Sequence, residues 1–283
     1  MKLITSPTDL NKELDHLGRG GRRLLVPTMG ALHDGHLTLV KRARELAGDS
    51  GYVILTLFVN PTQFDQAEDL KKYPRTLEQD LKLCREHGVD LVFAPEPGAM
   101  YADNHSVTVS ESALTSRLCG AARPGHFDGV CTVVLKLFNL TQADIAVFGK
   151  KDYQQLAVIR RMVRDLNVAI HIEGVETVRE KSGLAMSSRN TRLTPDQLAD
   201  APRIRRALLA ARSAYDAGET SVEALLTIAR KEIESSEQGA SIDYLELLSA
   251  DSLQQIEHVA TPSVMATAVF YDAVRLIDNI EIC

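Results

Sequence analysis

Residues 24–43 read LLVPTMGALHDGHLTLVKRA, and this stretch predicts a strand, a turn and a helix in succession. The apolar run at 24–26 is typical of a buried strand. Beyond the turn, the apolar residues of 37–43 recur at the spacing of one face of a helix. A strand that leads through a polar turn into a helix is the first half of a βαβ unit, so the stretch favours an α/β fold.

The turn itself carries two glycines, Gly30 and Gly35, and two histidines, His33 and His36. The first amides of a helix have no acceptor within the helix, and together with the helix dipole they favour an anion at the turn. Glycine allows close approach to the backbone, and histidine adds compact donors. A His-x-x-His pair at a helix start is nevertheless often a cap or a metal ligand. Three roles therefore stay open at this point: a cap, a metal site and a phosphate cradle.

Composition places the chain among ordinary globular proteins. It has 283 residues, of which 45% are hydrophobic and 25% are charged, which is enough for a large core and two domains. The net charge of −6 and the absence of tryptophan argue against a broad surface for nucleic acid. We find no secretory signal and no apolar stretch that could span a membrane, and so expect a cytoplasmic protein.

The four cysteines are Cys84, Cys119, Cys131 and Cys283, and none belongs to a C-x-x-C pair. This spacing suggests neither a zinc site nor a disulfide framework. We expect reduced thiols.

Strands and helices alternate along the first part of the chain, which predicts a Rossmann-like parallel sheet flanked by helices over residues 1–177. The predicted strands are 24–26, 53–59, 91–93, 107–109, 145–148 and 168–172, and the predicted helices are 36–47, 75–87, 130–140 and 152–166. The pattern changes afterwards, and residues 178–283 are expected to form a smaller C-terminal α/β lid domain. Its predicted helices are 196–217 and 220–236, and its predicted strands are 242–248 and 264–271.

Common nucleotide motifs are missing from the sequence. There is no G-x-x-x-x-G-K-[ST], and the glycine-rich residues 18–21 precede the first predicted strand instead of following it. Phosphates would have to be held by other loops at the carboxyl ends of the strands, which is the usual ligand position in such sheets.

Four further segments fall at such positions: 58–64, 123–130, 149–155 and 181–190. In the first, Pro61 ends the strand and is expected to leave the amides of Asn60 and Gln63 at the crevice, although Asn-Pro is also a common turn pair. The second offers an arginine and a histidine, but an ordinary loop explains it equally well.

The third and fourth segments carry cations that call for an anionic partner. Lys151 and Gln155 are four residues apart, which predicts that they share one face of a helix. A lysine at a helix start is unfavourable beside the positive end of the dipole, and an anion such as ATP would offset this effect. In residues 181–190, hydroxyls, a lysine and an arginine surround Gly183, a composition that fits a mobile phosphate clamp.

Taken together, these segments resemble the pantothenate synthetase (pantoate–β-alanine ligase) family, a branch of the HIGH-motif nucleotidyltransferases related to class I aminoacyl-tRNA synthetases. The resemblance covers nearly the whole chain, with His33 and His36 as the motif histidines. The matching segments are 27–36, 58–64, 73–76, 123–130, 148–155 and 186–190. The last of these is similar to the superfamily's KMSKS-type loop, with serines and Arg189 in place of its lysines.

The resemblance implies that pantoate attacks the α-phosphorus of ATP to give pantoyl adenylate, and that β-alanine then displaces AMP. It makes His36, His33, Lys151 and Arg189 the catalytic residues. Pantoate would be held by Gln63, Gln155 and Met29, and β-alanine by Gln63. The implied ATP contacts are Met29, Gly30, Ala31, Leu32, His33, Asp34, Gly35, His36, Gly149, Lys150, Lys151, Asp152, Val178, Met186, Ser187, Ser188 and Arg189.

The expected cofactor is Mg²⁺, bound mainly through the ATP phosphates, with no protein ligand assigned. Asp80 and Asp152 are candidates for its second coordination shell, and for each the alternative is a charge on a helix surface. A homodimer is expected from the family, with residues 107–109 as a candidate interface, and neither nucleic acid nor a membrane is an expected partner. The rival interpretations are a nucleotidyltransferase that adenylates a phosphate, a class I tRNA synthetase and a nucleotide sensor without catalysis.

Overall fold

The computed structural model describes residues 1–18, 20–64, 70–71 and 73–282, and the chain divides into two compact units. The first unit comprises Met1–Ser112, Arg123–Lys150 and Gln155–Glu176, and the second comprises Ala113–Ala122, Lys151–Gln154 and Thr177–Cys283. Cys283, one of the expected thiols, lies outside the described residues. The division therefore groups two short segments from the first part of the chain with its last hundred residues.

A six-stranded parallel sheet organises the first unit, in the order β1-β4-β3-β2-β5-β6. The strands are β1 Lys2–Ile4, β2 Arg23–Thr28, β3 Tyr52–Leu57, β4 Leu91–Phe93, β5 Ile145–Gly149 and β6 His171–Val175. β2 lies in the middle, with β3 on one side and β5 on the other, so the strand order changes direction between β2 and β5. Ligands of open α/β sheets bind beyond the carboxyl ends of the strands at such a switch point. The predicted Rossmann-like sheet is confirmed.

The helices of this part of the chain are α1 Pro7–Leu17, α2 Asp34–Ala47, α3 Leu77–Glu86, α4 Pro97–Met100, α5 Leu118–Ala122, α6 His126–Thr141 and α7 Tyr153–Asp165. Of these, α5 and the first two residues of α7 are grouped with the second unit. In the first unit, α2 buries Val40 and Ala43 against the sheet residues Leu24 and Val53. This packing explains the apolar run of β2, because a central parallel strand is covered on both faces.

Several local predictions differ from the structure, and the predicted helix at 196–217 is in fact two helices, Pro195–Asp200 and Arg203–Asp216. β1 and α1 were not predicted, and β6 begins three residues later than expected. The predicted strand at 107–109 is wrong. Val107 is 79% exposed, and the amide of Val109 donates to the hydroxyl of Thr132 on α6, 2.9 Å away. The apolar alternation that suggested a strand therefore belongs to an irregular segment that is hydrogen-bonded to a helix.

The second unit contains a three-stranded antiparallel sheet in the order β7-β8-β9 and a group of helices. These elements are α8 Pro195–Asp200, α9 Arg203–Asp216, α10 Val222–Glu234, β7 Ala240–Ser249, β8 Ser263–Tyr271 and β9 Val274–Ile282. Leu208 on α9, Leu225 on α10 and Met265 on β8 lie in one core cluster. The predicted α/β character is confirmed, although β9 was not predicted. No helix in the described ranges is both long and apolar enough to cross a membrane.

Candidate functional site

The two motif histidines form a reciprocal cap at the start of α2. His33 is the N-cap residue, and its Nδ1 accepts a hydrogen bond from the amide of Gly35 at 3.1 Å. Nδ1 of His36 accepts from the amide of His33 at 3.3 Å, and the two ring centroids are 4.1 Å apart. The cap that the sequence left open as one of three roles is therefore present.

This cap determines which nitrogen of each ring carries the proton. A nitrogen that accepts an N–H bond cannot itself hold a proton, so the neutral ring of both His33 and His36 is protonated at Nε2. Each histidine can thus cap the helix with one nitrogen and donate with the other. Capping and ligand binding are compatible in this arrangement.

The amides of the turn differ from the sequence-based expectation. Those of Ala31 and Leu32 donate to the carboxylate of Asp80, at 3.0 and 2.8 Å, and those of His33 and Gly35 donate to the histidine rings. These four amides are bound by side chains of the protein itself, so they are not open to an anion as the sequence-based interpretation expected. The interpretation of Asp80 as a helix-surface charge is also wrong, since this residue is buried.

Gln63, a predicted pantoate contact, lies beside Met29, which was predicted for the same role. Nε2 of Gln63 is 3.2 Å from Sδ of Met29, and Oε1 accepts from Asn60 at 3.1 Å. The carbonyl of Gln63 accepts from His126 at 2.7 Å and from Arg123 at 3.2 Å. The loop with the arginine and the histidine therefore holds the backbone that carries Gln63.

Asn60 is a scaffold residue and not an open amide at a crevice. It is 1% exposed, donates to the carbonyl of Gly129 at 3.1 Å, and accepts from the hydroxyl of Tyr101 at 2.8 Å. Burial raises the pKa of Tyr101, partly opposed by its hydrogen bond to Thr62. Tyr101 therefore stays protonated and serves as a donor in this network.

At the carboxyl end of β5, Gly149 is followed by Lys150, whose Nζ lies 2.5 Å from Oε1 of Glu176. Lys151 lies in a 3-10 turn, Lys150–Asp152, and α7 begins only at Tyr153. The helical face predicted for Lys151 and Gln155 is therefore not supplied by one continuous α-helix. The side-chain amide of Gln155 makes no hydrogen bond within the described part of the chain.

In the second unit, Lys151 is held through its backbone. Its carbonyl accepts from Nδ2 of Asn279 on β9 at 2.9 Å, and its ammonium lies 4.0 Å from the carboxylate of Asp152. The neighbouring Gln154 is buried and donates to the carbonyls of Leu114 and Arg117. These bonds explain why residues 151–154 and 113–122 are grouped together.

The segment at 178–190 folds back on itself within the second unit. The amide of Met186 donates to the carbonyl of Val178 at 2.9 Å, and Gly183 supplies the turn with a φ of 93°. Nδ2 of Asn190 donates to Glu180 and to the carbonyl of Ala185. Two residues that were predicted to contact ATP, Val178 and Met186, are therefore neighbours in space.

The end of this segment presents hydroxyls and a cation. Ser187 caps a 3-10 helix, Ser188–Arg192, and its Oγ accepts from the amide of Arg189 at 3.2 Å, which leaves its hydroxyl hydrogen as a donor. The Arg189 side chain is exposed and has no ion pair among the residues described. This combination suits an anionic ligand.

The described cysteines Cys84, Cys119 and Cys131 are free thiols. Burial raises the pKa of Cys84 to about 11 and that of Cys131 to about 12, so both stay protonated near neutrality. The expectation of reduced thiols is confirmed for these three residues.

A family profile described as "Pantoate-beta-alanine ligase" matches residues 2–281. A pantothenate synthetase from Akkermansia muciniphila is 52% identical over 269 residues, which are 95% of each chain. The chain belongs to the pantoate–β-alanine ligase family. A second pantothenate synthetase, from Pelobacter propionicus, is 48% identical and covers 99% of this chain and 97% of its own.

Solved structures agree with this family assignment. A pantothenate synthetase from Thermus thermophilus has a TM-score of 0.92 at 42% identity, with 99% of each chain covered. A pantoate-beta-alanine ligase from Francisella tularensis, complexed with beta-gamma ATP and beta-alanine, has a TM-score of 0.80 at 31% identity and covers 99% of this chain and 97% of its own.

Sequence reasoning missed Tyr101 and Asn279, and it named Asp80 only as a candidate near Mg²⁺, without its contacts to the turn. Tyr101, Asp80 and Asn279 each contact a predicted site residue or its backbone. All three are distant in sequence from their partners, and nothing in the local pattern around them signals the contact. The Tyr-Pro-Arg-Thr segment at 73–76 did lie in the resemblance, and its Thr76 contacts Asp80.

Proposed function

We propose that this chain is a pantoate–β-alanine ligase, which condenses pantoate with β-alanine at the expense of ATP and releases AMP and pyrophosphate. A carboxylate oxygen of pantoate attacks the α-phosphorus, and the bond to pyrophosphate breaks. The amine of β-alanine then attacks the acyl carbon of pantoyl adenylate, AMP leaves, and the amine loses a proton. The full-length match to the family carries this assignment.

The histidine pair supports the proposal through its tautomers. With Nδ1 of His33 and His36 accepting backbone amides, each neutral ring has an Nε2–H donor for phosphate oxygens. We assign to His36 stabilisation of the charge on the departing pyrophosphate, because such donors act most strongly where charge develops. A proton transfer from His36 is not required for this role.

The remaining ATP contacts are assigned from the family resemblance. In the first unit we assign the turn Met29–His36 together with Gly149 and Lys150, and in the second unit Lys151, Asp152, Val178 and the residues from Met186 to Arg189. Lys151 and Arg189 are the cations that would offset the phosphate charge, so we assign both to catalysis.

Gln63 and Gln155 are the proposed pantoate contacts, with Met29 beside Gln63, and Gln63 is also assigned to β-alanine. A neutral amide can orient the carboxylate and hydroxyls of pantoate without the ground-state stabilisation of a salt bridge. The side-chain amide of Gln155 has no hydrogen-bond partner among the residues that the structure describes, so it is available for this role. Glutamines at these positions favour a carboxylate over a phosphate as the acid that is adenylated.

Mg²⁺ is the proposed cofactor and would be held mainly by the phosphates of ATP, where it neutralises charge on pyrophosphate. Asp152 is half exposed, so its carboxylate can reach such an ion through water. Both oxygens of Asp80 already accept backbone amides, which makes Asp80 the weaker of the two candidates.

Pantoate-stimulated exchange of pyrophosphate into ATP tests the function. We expect exchange without β-alanine or tRNA, because adenylation precedes the amine step. If a phosphorylated acceptor and not pantoate stimulates exchange, the rival nucleotidyltransferase is correct, and if ATP binds without exchange, the chain is a sensor. Dependence of the exchange on tRNA would favour a tRNA synthetase.

We also propose a homodimer and a cytoplasmic location. Residues 105–112 form neither helix nor strand, and Val107 is largely exposed, so this segment offers an apolar side chain to a second copy. Sedimentation equilibrium is expected to give a dimer, and Val107→Lys is expected to weaken it. Unchanged association in the variant would exclude this segment from the interface.

A further inference from the structure

The carboxylate of Asp80 is buried and hydrogen-bonded to the backbone of the turn that precedes His33. Asp80 lies on α3 and is 2% exposed. Its Oδ2 accepts the amide of Ala31 at 3.0 Å, and its Oδ1 accepts the amide of Leu32 at 2.8 Å. The hydroxyl of Thr76, one turn earlier, lies 3.2 Å from both oxygens. One side chain from α3 therefore binds the backbone of the turn that precedes His33.

The turn that Asp80 binds has an unfavourable backbone conformation. Ala31 has a φ of 51°, in the left-handed region, which costs an L-residue about 1–2 kcal/mol. Gly30 precedes it with a φ of 86°, and a Cβ there would lie 3.1 Å from Oδ2 of Asp80. Such a conformation persists only when its surroundings hold it in place. The two hydrogen bonds to Asp80, together with the bond from the amide of Gly30 to the hydroxyl of Thr28, hold it there.

The electrostatics of Asp80 strengthen this constraint. No basic side chain in the described ranges forms an ion pair with Asp80, so its charge is compensated by two amides and one hydroxyl. The pKa of Cys84 is raised mainly by burial, and the second cause is the nearby charge of Asp80. A buried carboxylate is costly unless it is hydrogen-bonded, and bonds to an ionised acceptor are short and strongly directional. Displacement of the turn from Asp80 would therefore be expensive.

We propose that Asp80 is a positioning residue that holds Ala31 and Leu32 so that the capped pair His33 and His36 meets the phosphates in a productive geometry. Asp80 acts through the turn and touches neither substrate nor metal. This inference rests on the proposed ligase function and adds the group that preorganises its ATP-binding turn.

Asp80→Asn tests the inference with little change in volume. Asparagine has one acceptor oxygen, and its NH₂ group would face one of the two backbone amides, so the turn can no longer be held at both. We expect the single-turnover rate of pantoyl-adenylate formation at saturating ATP to fall by about 10-fold to 10²-fold, the scale of a small misplacement of catalytic groups. Hydrogen exchange at Ala31 and Leu32 is expected to accelerate.

Asp90→Asn is the matched control. Asp90 accepts the amide of Val53 on β3 at 2.8 Å and pairs with Arg44, and it lies directly before β4, at the amino ends of the strands and away from the turn. We expect Asp90→Asn to lose thermal stability and to keep its adenylation rate. This result would show what the removal of a purely structural carboxylate does. Thr76→Val is the milder second variant, because it removes only the hydroxyl contact. It is expected to lower the rate in the same direction by a smaller factor.

The outcomes are distinct. If Asp80→Asn melts earlier but keeps its adenylation rate and its KM for ATP, Asp80 is merely structural and the inference fails. A second outcome would also overturn the inference. If Asp80→Asn shifts the Mg²⁺ concentration that gives half-maximal rate, while hydrogen exchange at Ala31 and Leu32 stays as in the parent, Asp80 is a partner of the metal. If the unmodified chain shows no pantoate-stimulated exchange, the proposed function itself has failed.

Discussion

Several candidate site residues in this chain are fixed by a hydrogen bond at one atom and present another atom for ligand binding. His36 closes a helix cap with Nδ1, which makes Nε2 the donor. Gln63 is held at its carbonyl by His126 and Arg123, while its side chain contacts Met29 and Asn60. The identity of a residue decides the chemistry, and the contacts of its other atoms decide where that chemistry is presented.

Substitutions of His36 separate its two tasks. His36→Ala is expected to lower the adenylation rate by about 10²-fold or more, the scale for the loss of an oriented transition-state donor. His36→Asn retains an acceptor at the position of Nδ1 but has no donor at the position of Nε2. It should therefore lose a similar factor while keeping the melting temperature close to that of the parent.

Single-turnover formation of pantoyl adenylate and thermal melting measure the two effects. A near-normal rate in His36→Asn would show that the cap alone matters and that the Nε2 donor does not.

Elements of the first unit are brought together by close backbone packing. Gly129 on α6 faces the 3-10 turn Pro61–Gln63, and a Cβ at Gly129 would lie 2.5 Å from the carbonyl oxygen of Thr62 and 2.7 Å from the amide of Gln63. Backbone atoms on both sides leave no room for a side chain. The glycine therefore sets the distance between α6 and the turn that carries Gln63.

Gly129→Ala should displace this turn. We expect a loss of stability of about 1–3 kcal/mol from overpacking, together with a raised KM for pantoate. Gly98→Ala is the control, because Gly98 lies in α4 and a Cβ there would meet nothing within 4 Å. Urea unfolding and initial rates at varied pantoate measure both variants. Equal behaviour of the two variants would contradict the packing argument.

At the scale of the whole molecule, stability against acid depends in part on one partly buried network in the second unit. Asp200, at the end of α8, accepts hydrogen bonds from Arg203, Ser236 and Tyr271. Burial raises the pKa of Asp200, but these bonds and the charge of Arg203 outweigh it, and the pKa lies below its ordinary value. A lowered pKa in the folded state stabilises the fold above the unfolded-state value and loses that effect as the pH falls through the folded value.

Asp200→Asn is therefore expected to reduce the free energy of unfolding at neutral pH by about 1.5–3 kcal/mol, the range for hydrogen bonds to a charged group. The deficit should be constant from neutrality to mildly acidic pH and should shrink only below about pH 4. Urea unfolding at a series of pH values measures it. Asp165→Asn, at an exposed surface pair, is the control and should have little effect at any pH. A deficit for Asp200→Asn that persists unchanged below about pH 3 would contradict the linkage.

The amino-acid sequence was sufficient for the central features of this protein: the strand–turn–helix at 24–43, the parallel sheet and the family to which its motifs belong. Periodicity and turn chemistry are local, so a single stretch of chain carries them. Only the tertiary structure placed Asp80 under the turn, tied Lys151 to Asn279, buried Asn60 and left 107–109 without a sheet. Each of these depends on atoms that are distant in sequence, and hydrogen bonding and burial between distant segments leave no periodic trace in either one.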